Sequence, residues 1–515
     1  MKKRSVTILP EQIKVSCEAG SLLLDVLTEA GVVLRTPCGG RGVCGKCVVE
    51  VRGGASEMTM SETDILGGDP EKRLACQAYI TGDLQVVTQS PGRLLSFDIS
   101  ELKTNLAYGL AVDIGSTSIQ ISLVDLPLGL SRVVDSFLNP QRRFGHDVIA
   151  RIAASVDEEV YGKMVRLLRW RIGRAVLDFL SNAGIVPKQV ERVVFSGNTV
   201  MMYFLSGLDV KALGVYPYTS DIRDFESFSG QIFGWPVELS PELFALPAAS
   251  SFLGSDLVGG LAIADKRGFC RNTFFLDIGT NGEMFLRTPT DQILATSCAM
   301  GPAMEGMNIT SGMTADIGAV NHVWEEKGRV AFNVIGDASP SGICGTGLID
   351  LIALMVDAGI VLPSGKFSGS AQELSESLGL SFYNGDIQTV FLAEKAGVSQ
   401  KDIRSVQLAK SATLAASTIL LEDAGCAKED IEYVIIAGAL GENLSAASFR
   451  RLSFLPDFPN AKYIFAGNTS LAAAEAACTD WSFYEKARGL RDRTRVLDLS
   501  THPRFFDLFM KSFTF

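Results

Sequence analysis

Four cysteines limit what this chain can fold into more than any other feature. Cys38-Gly-Gly-Arg-Gly-Val-Cys44-Gly-Lys-Cys47 reads C-x5-C-x2-C, and Cys76 follows in Arg73-Leu-Ala-Cys-Gln77. The remaining cysteines, Cys17, Cys270, Cys298, Cys344, Cys426 and Cys478, stand singly, and each reads as a small buried hydrophobe. Four thiolates so placed can hold one metal centre. Disulfides would need an oxidising compartment that nothing in the sequence indicates. Zinc, the alternative, usually takes its thiols from two separate C-x2-C knuckles. The glycine-rich first loop suits a cluster whose sulfurs accept several backbone N–H bonds, because glycine lets the main chain wrap close. Cys38, Cys44, Cys47 and Cys76 are therefore expected to hold a [2Fe–2S] cluster.

The surrounding pattern is that of a small sheet with helices. Val6-Thr-Ile-Leu9 and Ile13-Lys-Val15 read as a hairpin, Ser21 as the cap of a helix through Leu27, and Cys47-Val-Val-Glu-Val51 as a strand leaving the loop. Ser61-Glu-Thr-Asp64 has the form of a capping box, and Leu84-Gln-Val-Val87 closes the sheet. With the four cysteines, residues 1–90 resemble a β-grasp [2Fe–2S] ferredoxin of the adrenodoxin-like branch. The first spacer is one residue longer than in the plant-type C-x4-C-x2-C pattern. The resemblance implies a one-electron carrier of low potential. Residues 91–107 show no period and read as a linker.

A chain of 515 residues is long enough for about three domains at roughly 150 residues each. With 47 Lys and Arg against 58 Asp and Glu, the net charge of -11 argues against nucleic acid as a partner, since phosphate contact needs a basic face. No apolar run approaches the roughly 18 residues of a membrane span, and Met1-Lys-Lys-Arg4 leads into a strand-like run rather than a signal-peptide core. A cytoplasmic protein is expected. Arg142-Arg143, ahead of Phe144, reads as a solvated face, with a local basic patch as the alternative. His146, His322 and His502 are too scattered to form a metal site.

The larger remainder carries a repeated glycine turn. Tyr108-Gly-Leu-Ala-Val112 runs into Asp113-Ile-Gly-Ser-Thr-Ser118, and Thr273-Phe-Phe-Leu276 runs into Asp277-Ile-Gly-Thr-Asn-Gly-Glu283. In each, an apolar strand ends at Asp, turns at Gly and resumes as a strand. Glycine lets bare N–H groups approach a phosphate, Ser or Thr adds a hydroxyl, and the strand-terminal Asp can bind Mg²⁺ directly or through water. Val194-Phe-Ser-Gly-Asn-Thr199 and Ile464-Phe-Ala-Gly-Asn-Thr469 form a second echo, read as support for internal duplication. Tyr433-Val-Ile-Ile-Ala-Gly-Ala-Leu-Gly441 is a buried strand breaking at Gly438 and Gly441, where adenosine could lie on bare backbone. The bland reading makes all three ordinary tight turns. In this order they resemble the ASKHA superfamily, the acetate and sugar kinases, Hsp70 and actin, whose two ribonuclease H-like lobes close around ATP. The fold expected is α/β behind an α+β N-terminal module, with lobe I at 108–270 and lobe II at 271–515, the C-terminal segment packing back. Gly345-Thr-Gly347 reads as a helix start linking the lobes.

An iron–sulfur carrier joined to an ATP-hydrolysing body makes sense when an electron must go uphill. A ferredoxin near about -400 mV cannot alone supply a much lower acceptor, and each further ~60 mV costs about 1.4 kcal/mol. The combination resembles the reductive activators of corrinoid proteins, which use ATP to return Co(II) corrinoid to Co(I). Segments similar to that family include Asn139-Pro-Gln141 with Gly145-His-Asp-Val-Ile-Ala-Arg151, Gly301-Pro-Ala-Met-Glu-Gly306 with Ser311-Gly-Met313, Gln407-Leu-Ala-Lys410 and His502-Pro-Arg-Phe-Phe506. The resemblance implies Asp113, Gly115, Ser116, Thr117, Asp277, Gly279, Thr280, Asn281, Gly438 and Gly441 around ATP and Mg²⁺. It also implies a corrinoid protein and an upstream electron donor as partners, with methyl transfer or demethylation as the context. No catalytic base is carried over, because Glu283 and Glu305 are each as readily structural. Longer members have an extra domain between the two parts that contributes to dimerisation; here only linker residues stand in its place, so a homodimer is left as an open expectation. The alternatives are an activator of the 2-hydroxyacyl-CoA dehydratase type and a redox-sensing ATP-binding regulator.

Overall fold

The computed structural model describes residues 3–9, 13–30, 32, 34, 42, 45, 47–87, 107–145, 147–221, 223–225, 228–438, 440 and 444–515. Cys38, Cys44, His146, Gly441 and nearly all of the expected linker lie outside the described residues.

The N-terminal module is built from β1 (Lys3–Leu9), β2 (Ile13–Glu18), α1 (Leu23–Glu29), β3 (Val48–Ala55), α2 (Met60–Leu66), β4 (Lys72–Leu74) and β5 (Ile80–Val87). The strand order is β2-β1-β5-β3-β4, with β1 parallel to β5 and the other pairings antiparallel. Val6 and Ile8 from β1, Val49 and Val51 from β3 and Leu84 and Val86 from β5 alternate into one core with Leu23 and Leu27 of α1. The capping box lies two residues earlier than the Ser61–Asp64 pattern suggests. Thr59 caps α2, accepting from the Glu62 N–H (3.3 Å), while the Glu62 carboxylate accepts from the Thr59 N–H (2.9 Å). The reason is tertiary. Glu62 is fully buried and takes two hydrogen bonds from the buried Arg73 guanidinium (2.9 and 3.1 Å) and one from the Leu74 N–H (3.0 Å). Only a helix beginning at Met60 delivers that carboxylate to β4.

The chain divides into two compact units, residues 1–221 with 225–245, and 222–224 with 246–515. Behind the N-terminal module, the first unit carries β6 (Tyr108–Ile114), β7 (Ser118–Asp125), β8 (Leu130–Leu138), α3 (Val148–Ala154), α4 (Glu158–Ala183), β9 (Val190–Gly197), α5 (Thr199–Ser206) and β10 (Glu242–Ala245). Its sheet runs β10-β9-β6-β7-β8, antiparallel within β6-β7-β8 and parallel across β6-β9-β10. The second unit begins with α6 (Ser255–Lys266) and repeats this plan. Its β11 (Thr273–Ile278), β12 (Asn281–Arg287) and β13 (Ile293–Ala299) are antiparallel, and strands Tyr433–Ala437 and Lys462–Gly467 add on in parallel beside β11. The fold is thus a β-grasp module followed by two sheets of one ribonuclease H-like topology, each packed with helices.

The topology corrects the second sequence echo. Val194–Thr199 closes the fourth strand of its sheet, whereas Ile464–Thr469 closes the fifth strand of the other, so the two segments are not duplicates in position. They share a local device. Each strand ends in Gly, and the following Asn caps a helix: Asn198 accepts from Val200 N–H (3.0 Å) and Asn468 from Leu471 N–H (2.9 Å). The true topological partner of β9 is Tyr433–Ala437, the strand that ends at Gly438.

Candidate functional site

Cys47 and Cys76 are brought together by the antiparallel pairing of β3 with β4 and by the Ala75 N–H donating to Cys47 O (3.0 Å). Both are buried, and their sulfurs lie 3.3 Å apart. Two thiolates on one tetrahedral ion with metal–sulfur bonds of about 2.3 Å would lie roughly 3.8 Å apart, so the pair fits one metal of a cluster after a small adjustment. The Cys76 thiol is pushed down from 9.0 to about 6. The Cys47 thiol donating to it is the largest cause, with help from the Gln77 amide (3.7 Å) and the Gly42 N–H against the opposing effect of burial. A sulfur surrounded by N–H donors is what a thiolate ligand needs. Among the described residues no three Cys, His, Asp or Glu converge as a metal site; Cys38 and Cys44 lie outside them. Elsewhere Cys298, Cys344, Cys426 and Cys478 are buried, as read from the sequence, while Cys17 and Cys270 are half-buried.

In the first unit Asp113 is the penultimate residue of β6, and Gly115, Ser116 and Thr117 form the loop to β7. A Cβ on Gly115 would come within 2.7 Å of Ser118 O, so the turn requires glycine. The loop carbonyls are held by two residues. Asn139 Nδ2 donates to Gly115 O (2.8 Å), Arg151 Nη2 donates to Ser116 O, and the Asn139 N–H donates to Thr117 O (2.9 Å). Asn139 and Arg151 are both buried and both reach Met201 Sδ, at 3.5 and 3.3 Å. The family-like segments 139–141 and 145–151 therefore serve the first glycine turn. Sequence reading did not connect them to it. Nor is Arg142-Arg143 a solvated face: Arg142 is buried, and Arg143 pairs with Asp25 of the N-terminal module (2.6 Å).

In the second unit Asp277 is the penultimate residue of β11, and Gly279 and Thr280 make a shorter loop to β12. Thr280 Oγ1 donates to Glu305 Oε1 (2.7 Å), and Thr280 O accepts from the Met300 and Gly301 N–H groups (3.2 and 3.0 Å). Glu305 ends the turn Pro302–Glu305, and the nearby 311–313 segment is tied to 342–344 through Ile343 N–H to Ser311 O (2.8 Å) and Met313 N–H to Ile343 O (2.9 Å). Gly345-Thr-Gly347 does start a helix, Gly345–Asp357, within the second unit. Gly438 has φ +90°, and a Cβ there would lie 2.6 Å from both Asp277 Oδ1 and Ile278 O. The parallel pairing of Tyr433–Ala437 with β11 thus lays the Gly438 backbone against the Asp277 carboxylate.

Glu283 stands directly opposite Asp277 across β11 and β12 and is buried. Burial, then the charges of Asp256 and Asp277, raise its carboxyl well above the usual range. Burial and these neighbouring charges favour the protonated form of the carboxyl, in which it donates rather than accepts a proton. His322 sits on the buried Asp350 and His502 lies 3.5 Å from Asp423, so each histidine has its own carboxylate.

Three family models match consecutive parts of the chain. A 2Fe-2S iron-sulfur cluster binding domain covers 6–81, the RACo middle region 108–266, and the C-terminal domain of RACo, the ASKHA domain, 271–515. The corrinoid activation enzyme RamQ of Eubacterium limosum is 27% identical, with 99% of this chain and 98% of that protein covered. The [Co(II) methylated amine-specific corrinoid protein] reductase of Methanosarcina barkeri is 26% identical over 71% of this chain and 69% of its own length. Among solved structures, a reductive activator for corrinoid, iron-sulfur protein superposes with a TM-score of 0.70 at 24% identity, covering 99% of this chain and 98% of that one. No helix among the described residues is long and apolar enough to cross a membrane.

Proposed function

The chain belongs to the family of ferredoxin-fused ASKHA-domain reductive activators of corrinoid proteins, and from that premise we propose that it uses ATP to pass an electron to a corrinoid protein, returning Co(II) to Co(I). The observation that carries this reading is the joining, in one chain, of a paired-cysteine β-grasp module to two copies of one sheet, each with an Asp-Ile-Gly turn after its first strand. A [2Fe–2S] cluster on Cys38, Cys44, Cys47 and Cys76 would supply a one-electron carrier of low potential.

The remaining roles fall to the protein's own groups. The N–H groups of the two glycine turns receive nucleotide phosphate, and Asp113 and Asp277 hold Mg²⁺ directly or through water. Gly438 and Gly441 are the residues assigned to the nucleoside. A cytoplasmic reductant reloads the N-terminal module. Hydrolysis drives the transfer only if the ATP-bound and ATP-free proteins bind the acceptor differently, because a ligand shifts an equilibrium only by its differential affinity.

The test is anaerobic. With a reduced donor and a corrinoid protein, the Co(II) to Co(I) absorbance change should require ATP. Asp277→Ala should keep the iron–sulfur spectrum and lose the ATP-dependent change. Equal reduction with and without ATP, or unchanged turnover in Asp277→Ala, would sink the reading.

A further inference from the structure

We propose that Asn139 and Arg151 are positioning residues that preset the first glycine turn for a nucleotide phosphate. This rests on the reading of that turn as a phosphate loop. The argument starts from the peptide unit: it is planar and trans, so each N–H points opposite to the carbonyl of the residue before it. Three consecutive carbonyls, those of Gly115, Ser116 and Thr117, are engaged by Asn139 and Arg151. The following N–H groups of Ser116 and Thr117 therefore point opposite to the carbonyls that the Asn139 and Arg151 side chains hold, while the Thr117 carbonyl joins the β7–β8 ladder. N–H groups fixed in this way are suited to an anion before it arrives and need little reorganisation when one binds.

The brace is itself anchored. Asn139 is 1% exposed and its Oδ1 accepts from the Gln141 N–H (2.9 Å), which starts the turn Pro140–Arg143. Arg151 is 0% exposed, and its Nε donates to Gly145 O (3.0 Å). Both side chains rest on the sulfur of Met201 in α5, the helix that follows β9. Gly197, which ends β9, comes so close to Ile114 O that a Cβ would lie 2.4 Å away. The end of β6, the loop and the brace thus form one packed block within the first unit.

The test uses the full chain with its cluster. Arg151→Met keeps much of the side-chain volume and removes the donors, Arg151→Lys restores one donor, and Asn139→Asp keeps the cap on Gln141 while replacing the donor to Gly115 O. Arg169→Met is the control, because Arg169 is a half-buried arginine of the same unit whose Nε donates to Leu205 O (2.7 Å), away from the loop. Loss of about 1.4 kcal/mol per broken contact corresponds to tenfold. Arg151→Met and Asn139→Asp should therefore raise both the Kd and the KM for ATP by about tenfold or more, with kcat within about twofold and the iron–sulfur spectrum unchanged. Arg151→Lys should recover part of the loss, and Arg169→Met should leave ATP binding alone. A normal KM in Asn139→Asp or in a folded Arg151→Met, or an equal rise in Arg169→Met, overturns the brace while leaving the ATP-driven reading intact. If the unsubstituted protein binds no ATP, the functional reading fails and the brace with it.

Discussion

The two Asp-Ile-Gly turns carry nearly the same letters at the same point of the same sheet plan, yet they are built differently. The first has a three-residue loop whose carbonyls are held by distant buried side chains, Asn139 and Arg151. The second has a two-residue loop closed close to home, with Gly279 N–H donating to Asn281 O (3.0 Å) and Thr280 O accepting from Met300 and Gly301 just past β13. The residue opposite the aspartate differs too, Gln120 facing Asp113 and Glu283 facing Asp277. A repeated motif therefore marks a repeated place in the fold, while the job done there is set by what packs around it.

The strongest way to break this comparison is through the glycines. At Gly115 an added methyl would meet the backbone oxygen of Ser118 at 2.7 Å, and that oxygen belongs to the start of β7 and has little freedom to move. At Gly279 the nearest atom would be Asn281 O at 3.5 Å, an ordinary contact. Gly115→Ala should cost about 3 kcal/mol, as overpacking against backbone does, and Gly279→Ala less than about 1. Unfolding in urea followed by circular dichroism reads both. Equal costs would mean that the two turns are interchangeable after all.

The same contrast shows what could be read in the letters. The meeting of Cys47 with Cys76 was legible because cysteines and their spacing stand in the letters themselves. The positions of Asp113 and Asp277 at strand ends were legible because an apolar run stops where the chain must turn. The brace was not, because its acceptors are backbone carbonyls, which leave no trace in the sequence. The capping box was displaced for a related reason. Thr59–Glu62 and Ser61–Asp64 both fit the local pattern, and the choice is made by Arg73, eleven residues beyond Glu62. The Val194–Thr199 and Ile464–Thr469 echo misled because strand, Gly, Asn and helix is a local solution that recurs wherever a parallel strand feeds a helix.

A smaller effect concerns the residues facing the two aspartates. In its protonated form Glu283 would resemble the glutamine that faces Asp113, in shape and in having a donor. Burial and the charges of Asp256 and Asp277 raise its native value above the unfolded one of 4.5. Below the unfolded value both states are protonated and nothing is lost. Above it the unfolded chain releases a proton that the native protein keeps, so stability falls as pH rises, until the native carboxyl itself titrates. Glu283→Gln should remove this slope. Its advantage over the unsubstituted protein should grow by on the order of 1 kcal/mol for each pH unit above about 5, seen as a rising difference in Tm. A pH-independent difference would place an ionised carboxylate there and restore Glu283 as a candidate base.

The smallest effect tests whether the hydroxyls of the two turns do the same work. The Thr280 hydroxyl donates to Glu305 at 2.7 Å, joining β11–β12 to the turn Pro302–Glu305. A hydroxyl engaged in this way contributes to the architecture first, and replacing it with an isosteric methyl should cost about 1 kcal/mol, the usual net value of one such bond. The half-buried Glu305 can recover water, which keeps the cost from rising further. Thr280→Val should therefore lower the urea midpoint modestly and change the KM for ATP by less than about threefold, whereas the brace variants of the first turn change KM and little else. A tenfold rise in KM with no loss of stability would show that Thr280 leaves Glu305 for the phosphate, and would make the second turn a nucleotide grip of the same kind as the first.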